Sequence, residues 1–453
     1  MRERNFHCGQ ALLPDGWARD VRLTVADGSI LAITPNVAAE PTDDRLSIVL
    51  PGLPNLHSHA FQRGMAGLAE VRGKDEDSFW TWRDLMYRFV DRLTPDSLRA
   101  IAALAYVEML ETGFTRVGEF HYVHHDRRGA RFADPAAMSA AIVEAAAETG
   151  IGLTLLPVFY AHSGFGGLPA GPDQARFVHN VESFSLLLEA IDRVSAGLPD
   201  PVVGLAPHSL RAVTPEELAA LEQLAGSRPI HIHIAEQPKE VEDCLDWSGS
   251  HPVSWLLDHA AVGERWCLIH ATHLTEAETM ALARSGAVVG LCPVTEANLG
   301  DGLFPARRFL EAGGRIGIGS DSNIRIDMGE ELRLLEYGQR LAYRARNLLA
   351  IQQGDSTGES LFRRVLTGGS HALAVAAGLA PGASADFITL DPDHPSLFGR
   401  SGSAWIDGLV FAAGRDAIDG VWRRGVQLVS GGRHRARELI LRRYRATLEQ
   451  TLS

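Results

Sequence analysis

The strongest constraint on the fold of this chain is a recurrence. Eight short apolar runs, at 48–56, 115–121, 152–159, 202–206, 229–234, 266–270, 287–291 and 315–319, alternate with amphipathic stretches of helical character. Each run is short and bounded by turn residues, as strands buried on both faces are. The stretches between them carry helix boundaries. Thr214-Pro215-Glu216-Glu217 combines an N-cap Thr, a Pro at the first helical position and a capping-box Glu, and Gly226 closes that helix. Thr275-Glu276-Ala277-Glu278 repeats the box before Gly286, and Thr94-Pro95-Asp96 opens a third helix that closes at Gly113. Eight strands alternating with helices over roughly 270 residues predict an α/β chain folded as a (β/α)₈ barrel of the TIM type.

The two ends read differently. Residues 21–25 and 29–33, joined by Asp27-Gly28, look like short strands, and so do 385–390 and 420–426. Lone hairpins are marginal in water, so the ends are expected to pair. The predicted organisation is a composite β-sandwich from 1–50 and 380–434, a barrel over 51–379 and a C-terminal helix over 435–453. That last helix is rich in Arg and Glu and is expected on the surface.

Composition excludes several functions. The formal net charge of −13 argues against nucleic acid as the partner. No apolar run reaches the ~18 residues of a membrane span. Met1-Arg2-Glu3-Arg4-Asn5-Phe6 leads into no signal core, which makes the cytoplasm the expected location. Cys8, Cys244, Cys267 and Cys292 are far apart and form no CxxC pair, so neither a thiolate metal site nor a disulfide framework is expected.

Barrel enzymes carry their chemistry at the C-terminal ends of the strands, and here those ends are crowded with titratable residues. Strand 1 ends in His57-Ser58-His59, strand 5 in His231-Ile232-His233-Ile234-Ala235-Glu236, strand 6 in His270, and strand 8 runs into Ser320-Asp321-Ser322. Residues i and i+2 of a strand share a face, so His57 and His59 can point to the barrel mouth together. His231 and His233 share a face in the same way, and spacing alone does not choose between them. An isolated His-x-His is usually incidental, and a lone Asp at a strand end is usually a helix cap. Their joint placement in barrel order is what points to chemistry. Neutral imidazoles with a carboxylate suit Zn²⁺ or Fe²⁺ with a coordination position left for water.

Pro51-Gly52-Leu53-Pro54-Asn55-Leu56-His57-Ser58-His59, the His-x-x-Glu at 233–236, His270 and Ser320-Asp321 together resemble the amidohydrolase superfamily. The resemblance covers essentially the whole chain, including Gly382-Ala383-Ser384-Ala385-Asp386-Phe387 as the return to the sandwich. Within the superfamily the chain is similar to the single-metal aminohydrolases, which release ammonia from C=N groups. The resemblance implies one divalent metal, Zn²⁺ before Fe²⁺, on His57, His59, His233 and Asp321. It assigns proton transfer to Glu236, His270 and Asp321, and it favours His233 over His231, which then lies one layer down in the barrel. Two-metal members often bridge their ions with a Lys at the end of strand 4. Strand 4 here ends Ala206-Pro207-His208-Ser209, and the only lysines are Lys74 and Lys239, after strands 1 and 5, which excludes such a bridge.

Other loops must select the substrate. Gln62 can offer a donor and an acceptor to an amidine. Arg83, in the Trp80-Thr81-Trp82-Arg83 loop, and Arg211 can each hold a carboxylate; Trp80 and Trp82 are expected to be packing residues. Tyr122 follows strand 2, and His208 follows strand 4. The stretches 57–64, 118–122 and 206–211 resemble loops of the superfamily branch that deiminates N-formimidoyl-L-glutamate to N-formyl-L-glutamate in histidine degradation. That resemblance implies that Gln62, Tyr122, His208 and Arg211 contact this small molecule, with Arg83 a further carboxylate ligand. A homodimer is expected. An aminohydrolase of a purine, pterin or triazine ring is the alternative, and a non-catalytic assembly protein on the same fold the remote one. The Gly-rich 163–167 loop either covers the site or merely turns.

Overall fold

The computed structural model describes residues 3–72 and 79–452; Met1, Arg2 and Lys74 lie outside the described residues. The barrel strands are Leu53–Ser58, Phe114–His121, Gly152–Phe159, a fourth in two pieces (Val202–Val203 and Ala206–Pro207), Ile230–Ile234, Trp266–His270, Val288–Leu291 and Arg315–Ile318. Neighbours pair in parallel within strands one to four and within five to eight. Parallel bridges Leu205 to Ile230 and Ser209 to His233 join strand four to five, and Ser58 to Asp321 joins one to eight. The second seam is short and strong: Asp321 N–H donates to the His57 carbonyl at 3.0 Å, and His59 N–H to the Asp321 carbonyl at 2.9 Å. The segments that close the barrel are thus the ones carrying the candidate metal ligands.

The run at 48–56 is not one strand but two. Asp44–Pro51 belongs to the terminal sheet, parallel to Arg4–Leu13 and antiparallel to Phe387–Leu390. Gly52 N–H donates to Asp386, and the next N–H, of Leu53, donates to Gly113. The backbone changes sheets within two residues. A Cβ at Gly52 would stand 2.2 Å from Thr115 Cγ2, so the crossing needs a residue without one. Both halves are buried, which is why hydrophobicity runs unbroken through the change.

The chain ends form one continuous eight-stranded sheet, in the order Arg433–His434, Val426–Ser430, Ile418–Arg423, Phe387–Leu390, Asp44–Pro51, Arg4–Leu13, Gly16–Ala26, Ser29–Thr34. Its own core includes Phe6, Val21, Leu23, Phe387 and Trp422, the last two stacked at 5.1 Å. Polar pairs tie it to the barrel floor: Asp200 takes Arg116 at 2.7 Å and also Arg423, and Arg423 reaches Asp386 at 3.0 Å.

The capping signals act as their chemistry requires. Ser97, Glu217 and Glu278 N–H groups donate to the hydroxyls of Thr94, Thr214 and Thr275 at the starts of Pro95–Glu111, Pro215–Ala225 and Glu276–Ser285. The final helix, Arg437–Leu452, lies outside, held by Arg437 on Glu111 and Arg443 on Glu148. Among the described residues no helix is long and apolar enough to cross a membrane.

Candidate active site

Left-handed backbone at residues other than glycine is uncommon and gathers where function holds strain in place. Here Ala235, His270, Ala271, Asp321 and Asn323 all have φ between 43° and 67°. They sit at the mouth ends of strands five, six and eight. A clamp of buried amides and hydroxyls sets the last of these bends. Asn55 donates to Ser320 Oγ at 2.6 Å, Ser320 Oγ to Asn323 Oδ1 at 2.6 Å, and Asn323 to Ser58 Oγ at 3.1 Å.

His57, His59, His233 and Asp321 converge on one point. Asp321 Oδ1 lies 3.5 Å from His57 Nε2 and 3.3 Å from His59 Nε2, and His233 Nε2 lies 3.0 Å from His57 Nε2. The outer nitrogens fix the tautomers: His59 Nδ1 donates to the Phe120 carbonyl at 2.9 Å and His233 Nδ1 to the His208 carbonyl at 3.1 Å. Both rings therefore aim bare Nε2 lone pairs inward. Burial holds all three imidazoles neutral, with His59 lowered to about 3 by desolvation and then by His57. Burial alone would raise Asp321, yet the hydrogen bond from His57, with the protonated His270 nearby, keeps it well below the usual carboxylate range. His57 Nδ1 is buried without a partner, and its Nε2 lies 3.0 Å from the lone pair of His233 Nε2, a contact that requires a proton or a cation between the two. His57, His59 and Asp321 offer ligand atoms within 4.8 Å of one another, as do His57, His233 and His270. The donor set fits one divalent metal. His231 faces elsewhere, its Nε2 donating to the Ala372 carbonyl at 2.8 Å deep in the barrel.

Glu236 and His270 stand beside this cluster. His270 Nε2 is 3.7 Å from Glu236 Oε1 and 3.8 Å from Asp321 Oδ2. Burial pushes Glu236 up to about 7, opposed by His270 and reinforced by Asp321 and Glu240. Burial would lower His270, but Glu236, Glu296 and Asp321 outweigh it and push the imidazole up to about 10. An acid and a base with displaced proton affinities, side by side in a buried pocket, are a candidate proton-transfer pair.

The pocket above them is lined by Gln62, Arg83, Tyr122, His208 and Arg211 among others. Gln62 donates to the Tyr122 hydroxyl at 3.1 Å, leaving its buried Oε1 without a partner. Arg83 stands on a helix, Phe79–Val90, and not in the loop expected from the sequence. Its guanidinium lies 4.5 Å from the Trp80 ring, and that of Arg211 lies 5.8 Å from the same ring. Trp80 is therefore a platform for two arginines as well as a packing residue. The Nε of each is buried without a partner, and Arg211 lies 4.0 Å from Glu240. The 163–167 loop is a small hairpin, His162–Gly164 against Leu168–Pro169, with Phe165 stacked on Trp247 at 5.4 Å and Ser163 at the pocket wall.

Several site residues escaped the sequence. Glu296 accepts from His270 Nδ1 at 3.2 Å, Glu240 accepts from Ala235 N–H at 3.1 Å, and Asn55 and Asn323 build the clamp. Glu296 follows the seventh strand, and an inspection of that strand's end would have raised it.

A parallel eight-stranded barrel closed at a His-x-His segment, with a His and Asp cluster at its mouth that could hold a metal, is the architecture of a barrel hydrolase. The chain belongs to the amidohydrolase family, whose model matches residues 48–428. Residues 4–47 match the formimidoylglutamate deiminase HutF N-terminal domain. A formimidoylglutamate deiminase of Pseudomonas aeruginosa PAO1 is 51% identical over 98% of this chain and 98% of its own length. The crystal structure of an amidohydrolase from Brucella melitensis is similar with a TM-score of 0.96 and 53% identity, covering 99% of this chain and all of that one. An adenosine deaminase from Xanthomonas campestris with bound zinc shares the fold, with a TM-score of 0.79 and 22% identity over 99% and 98% of the two chains.

Proposed function

We propose that this chain hydrolyses N-formimidoyl-L-glutamate to N-formyl-L-glutamate and ammonia, a step of histidine degradation. One observation carries the substrate: Arg83 and Arg211, on one indole and each with a buried unpartnered Nε, line the same pocket as the His and Asp cluster. Two guanidiniums brought together call for anions, and a dicarboxylate supplies two. The near-full-length identity to a formimidoylglutamate deiminase supports the same reading.

His57, His59, His233 and Asp321 would hold the metal, zinc in this reading, whose Lewis acidity would make water a nucleophile near neutral pH. Arg83 and Arg211 bind the carboxylates, while Gln62, Tyr122 and His208 orient the amidine. Burial and the neighbouring Arg211 hold His208 neutral, so it can accept a proton or donate one. Asp321, with His270 beside it, takes the proton of the attacking water as oxygen bonds to the formimidoyl carbon. Glu236 gives its proton to the leaving nitrogen and takes the remaining hydroxyl proton as the carbonyl forms, the proton held by Asp321 passes to the same nitrogen, the C–N bond breaks, and ammonia departs. The sites all fall in the barrel segment 51–379; the composite segment 1–50 and 380–434 supplies none. A cytoplasmic homodimer completes the proposal, and four unpaired buried cysteines suit a reducing compartment.

Proton NMR of the reaction tests the assignment. Appearance of N-formyl-L-glutamate in step with ammonia supports it. Ammonia from adenosine-type or triazine substrates, with none from N-formimidoyl-L-glutamate, moves the chain to ring deamination.

A further inference from the structure

The short helix Pro293–Leu299 follows the seventh barrel strand and joins the ends of strands six, seven and eight. Glu296 Oε1 accepts from Cys292 N–H at 2.8 Å, and the same oxygen accepts from His270 Nδ1 at 3.2 Å. Thr295 Oγ1 lies 2.9 Å from Ser322 Oγ and donates to the Ser320 carbonyl at 3.4 Å, within the turn that carries Asp321. From behind, Val294 N–H donates to the fully buried Glu331 at 3.0 Å. The helix is thus fixed on both sides of the reaction centre.

His270 needs such an anchor. With φ of 67°, and 48° at Ala271, it has left regular strand geometry, so the pleat that aims His233 does not aim this ring. Imidazole rotation about χ2 has broad wells. Its Nε2 stands 3.7 Å from Glu236 and 3.8 Å from Asp321, beyond hydrogen-bond reach of either. The Nδ1 contact to Glu296 is the one short polar contact of the ring among the described residues.

We infer that Glu296 is a positioning residue: it holds the His270 ring by Nδ1 so that Nε2 stays between Glu236 and Asp321. The inference rests on the proton-transfer role proposed above for His270. Capping Cys292 alone would account for one of the two bonds at Glu296 Oε1, but not for the second.

Glu296→Gln keeps a carbonyl acceptor in place and removes the charge; Glu296→Ala removes both. The alanine variant is expected to lose about 10²-fold in kcat, the scale for a misplaced catalytic group. Its KM should stay within about threefold and its bound metal should be unchanged, with the glutamine variant recovering most of the loss. A second readout needs no turnover. In metal-free protein labelled with ¹⁵N-histidine, the Nδ1-bound proton of His270, assigned by its loss in His270→Asn, is expected to be protected from exchange with water in the wild type and Glu296→Gln and to exchange much faster in Glu296→Ala. If the wild type does not turn over N-formimidoyl-L-glutamate, the substrate proposal fails, and the NMR signal still decides the role of Glu296. The inference is overturned if that proton is as well protected from exchange in Glu296→Ala as in the wild type. It is equally overturned if kcat of Glu296→Ala stays within about threefold of wild type, or if its loss tracks lost metal and the glutamine variant recovers nothing.

Discussion

Arg211→Met is the substitution whose effect follows most directly from the structure. Arg211 lies on the turn Leu210–Ala212 just past the fourth strand, 4.0 Å from Glu240 and 5.8 Å from the Trp80 ring. Its Nε is buried without a partner, so a donor for a carboxylate is already desolvated and in place. A hydrogen bond to a charged group contributes about 1.5–3 kcal/mol. At about 1.4 kcal/mol per factor of ten, losing one lowers kcat/KM by roughly 10- to 140-fold. The carboxylate is remote from the C=N bond and is bound alike before and during reaction, so the loss should fall on KM. Methionine retains the apolar stem, and Glu240 keeps the N–H donors of Ala235 at 3.1 Å and Glu236 at 3.4 Å, so the fold should hold. The assay is ammonia release from N-formimidoyl-L-glutamate and from N-formimidoylglycine, which has one carboxylate, by wild type, Arg211→Met and Arg83→Met. The arginine that holds the side-chain carboxylate loses its effect on the shorter substrate, because the partner is already gone. An unchanged KM in Arg211→Met, or equal losses on both substrates for both arginines, refutes this account of recognition.

Three further outcomes follow from the same site and scaffold. Glu236→Gln should lower kcat by about 10²–10⁴-fold, the contribution of a positioned proton donor, with metal content by atomic absorption unchanged; loss of metal would instead make Glu236 a ligand. Since Glu236 is raised to about 7, chiefly by burial, its proton-donating form prevails below that pH and declines about tenfold per unit above it. The rate should therefore fall on the alkaline side, and a rate flat to about pH 9 would contradict the acid role. Asp200→Ala removes the carboxylate shared by buried Arg116 and Arg423 and should cost about 3 kcal/mol, the low end for a broken buried pair because Asp200 is partly exposed. Its thermal midpoint should drop while kcat/KM holds, since the network lies at the opposite end of the barrel; a matching loss of activity would argue against that separation.

The barrel was legible because its strands are buried on both faces and its chemistry sits where they end. His57, His59, His270 and Asp321 announce themselves as titratable residues closing apolar runs. The join at Gly52 was hidden by the same property, since apolar residues continue from one sheet into the next. Arg83 reads as a loop residue beside two tryptophans, although Trp82, Met86, Phe89 and Val90 repeat at helical spacing and pack inward. His231 and His233 look alike along a strand, and what separates them is contact with Ala372 on one side and His57 on the other. Asn55 and Ser320 are 265 residues apart and His270 and Glu296 are 26 apart, so these partnerships form only when the barrel closes.

The central claim is metal-dependent release of ammonia from N-formimidoyl-L-glutamate. It is tested most directly by following ammonia at neutral pH with zinc-loaded protein, a metal-stripped control and the control reloaded with zinc. Loaded and reloaded protein should reach kcat/KM above roughly 10⁴ M⁻¹s⁻¹, and the stripped form should release none. Release that survives stripping would contradict the role given to His57, His59, His233 and Asp321, and no release from protein with zinc bound would contradict the substrate.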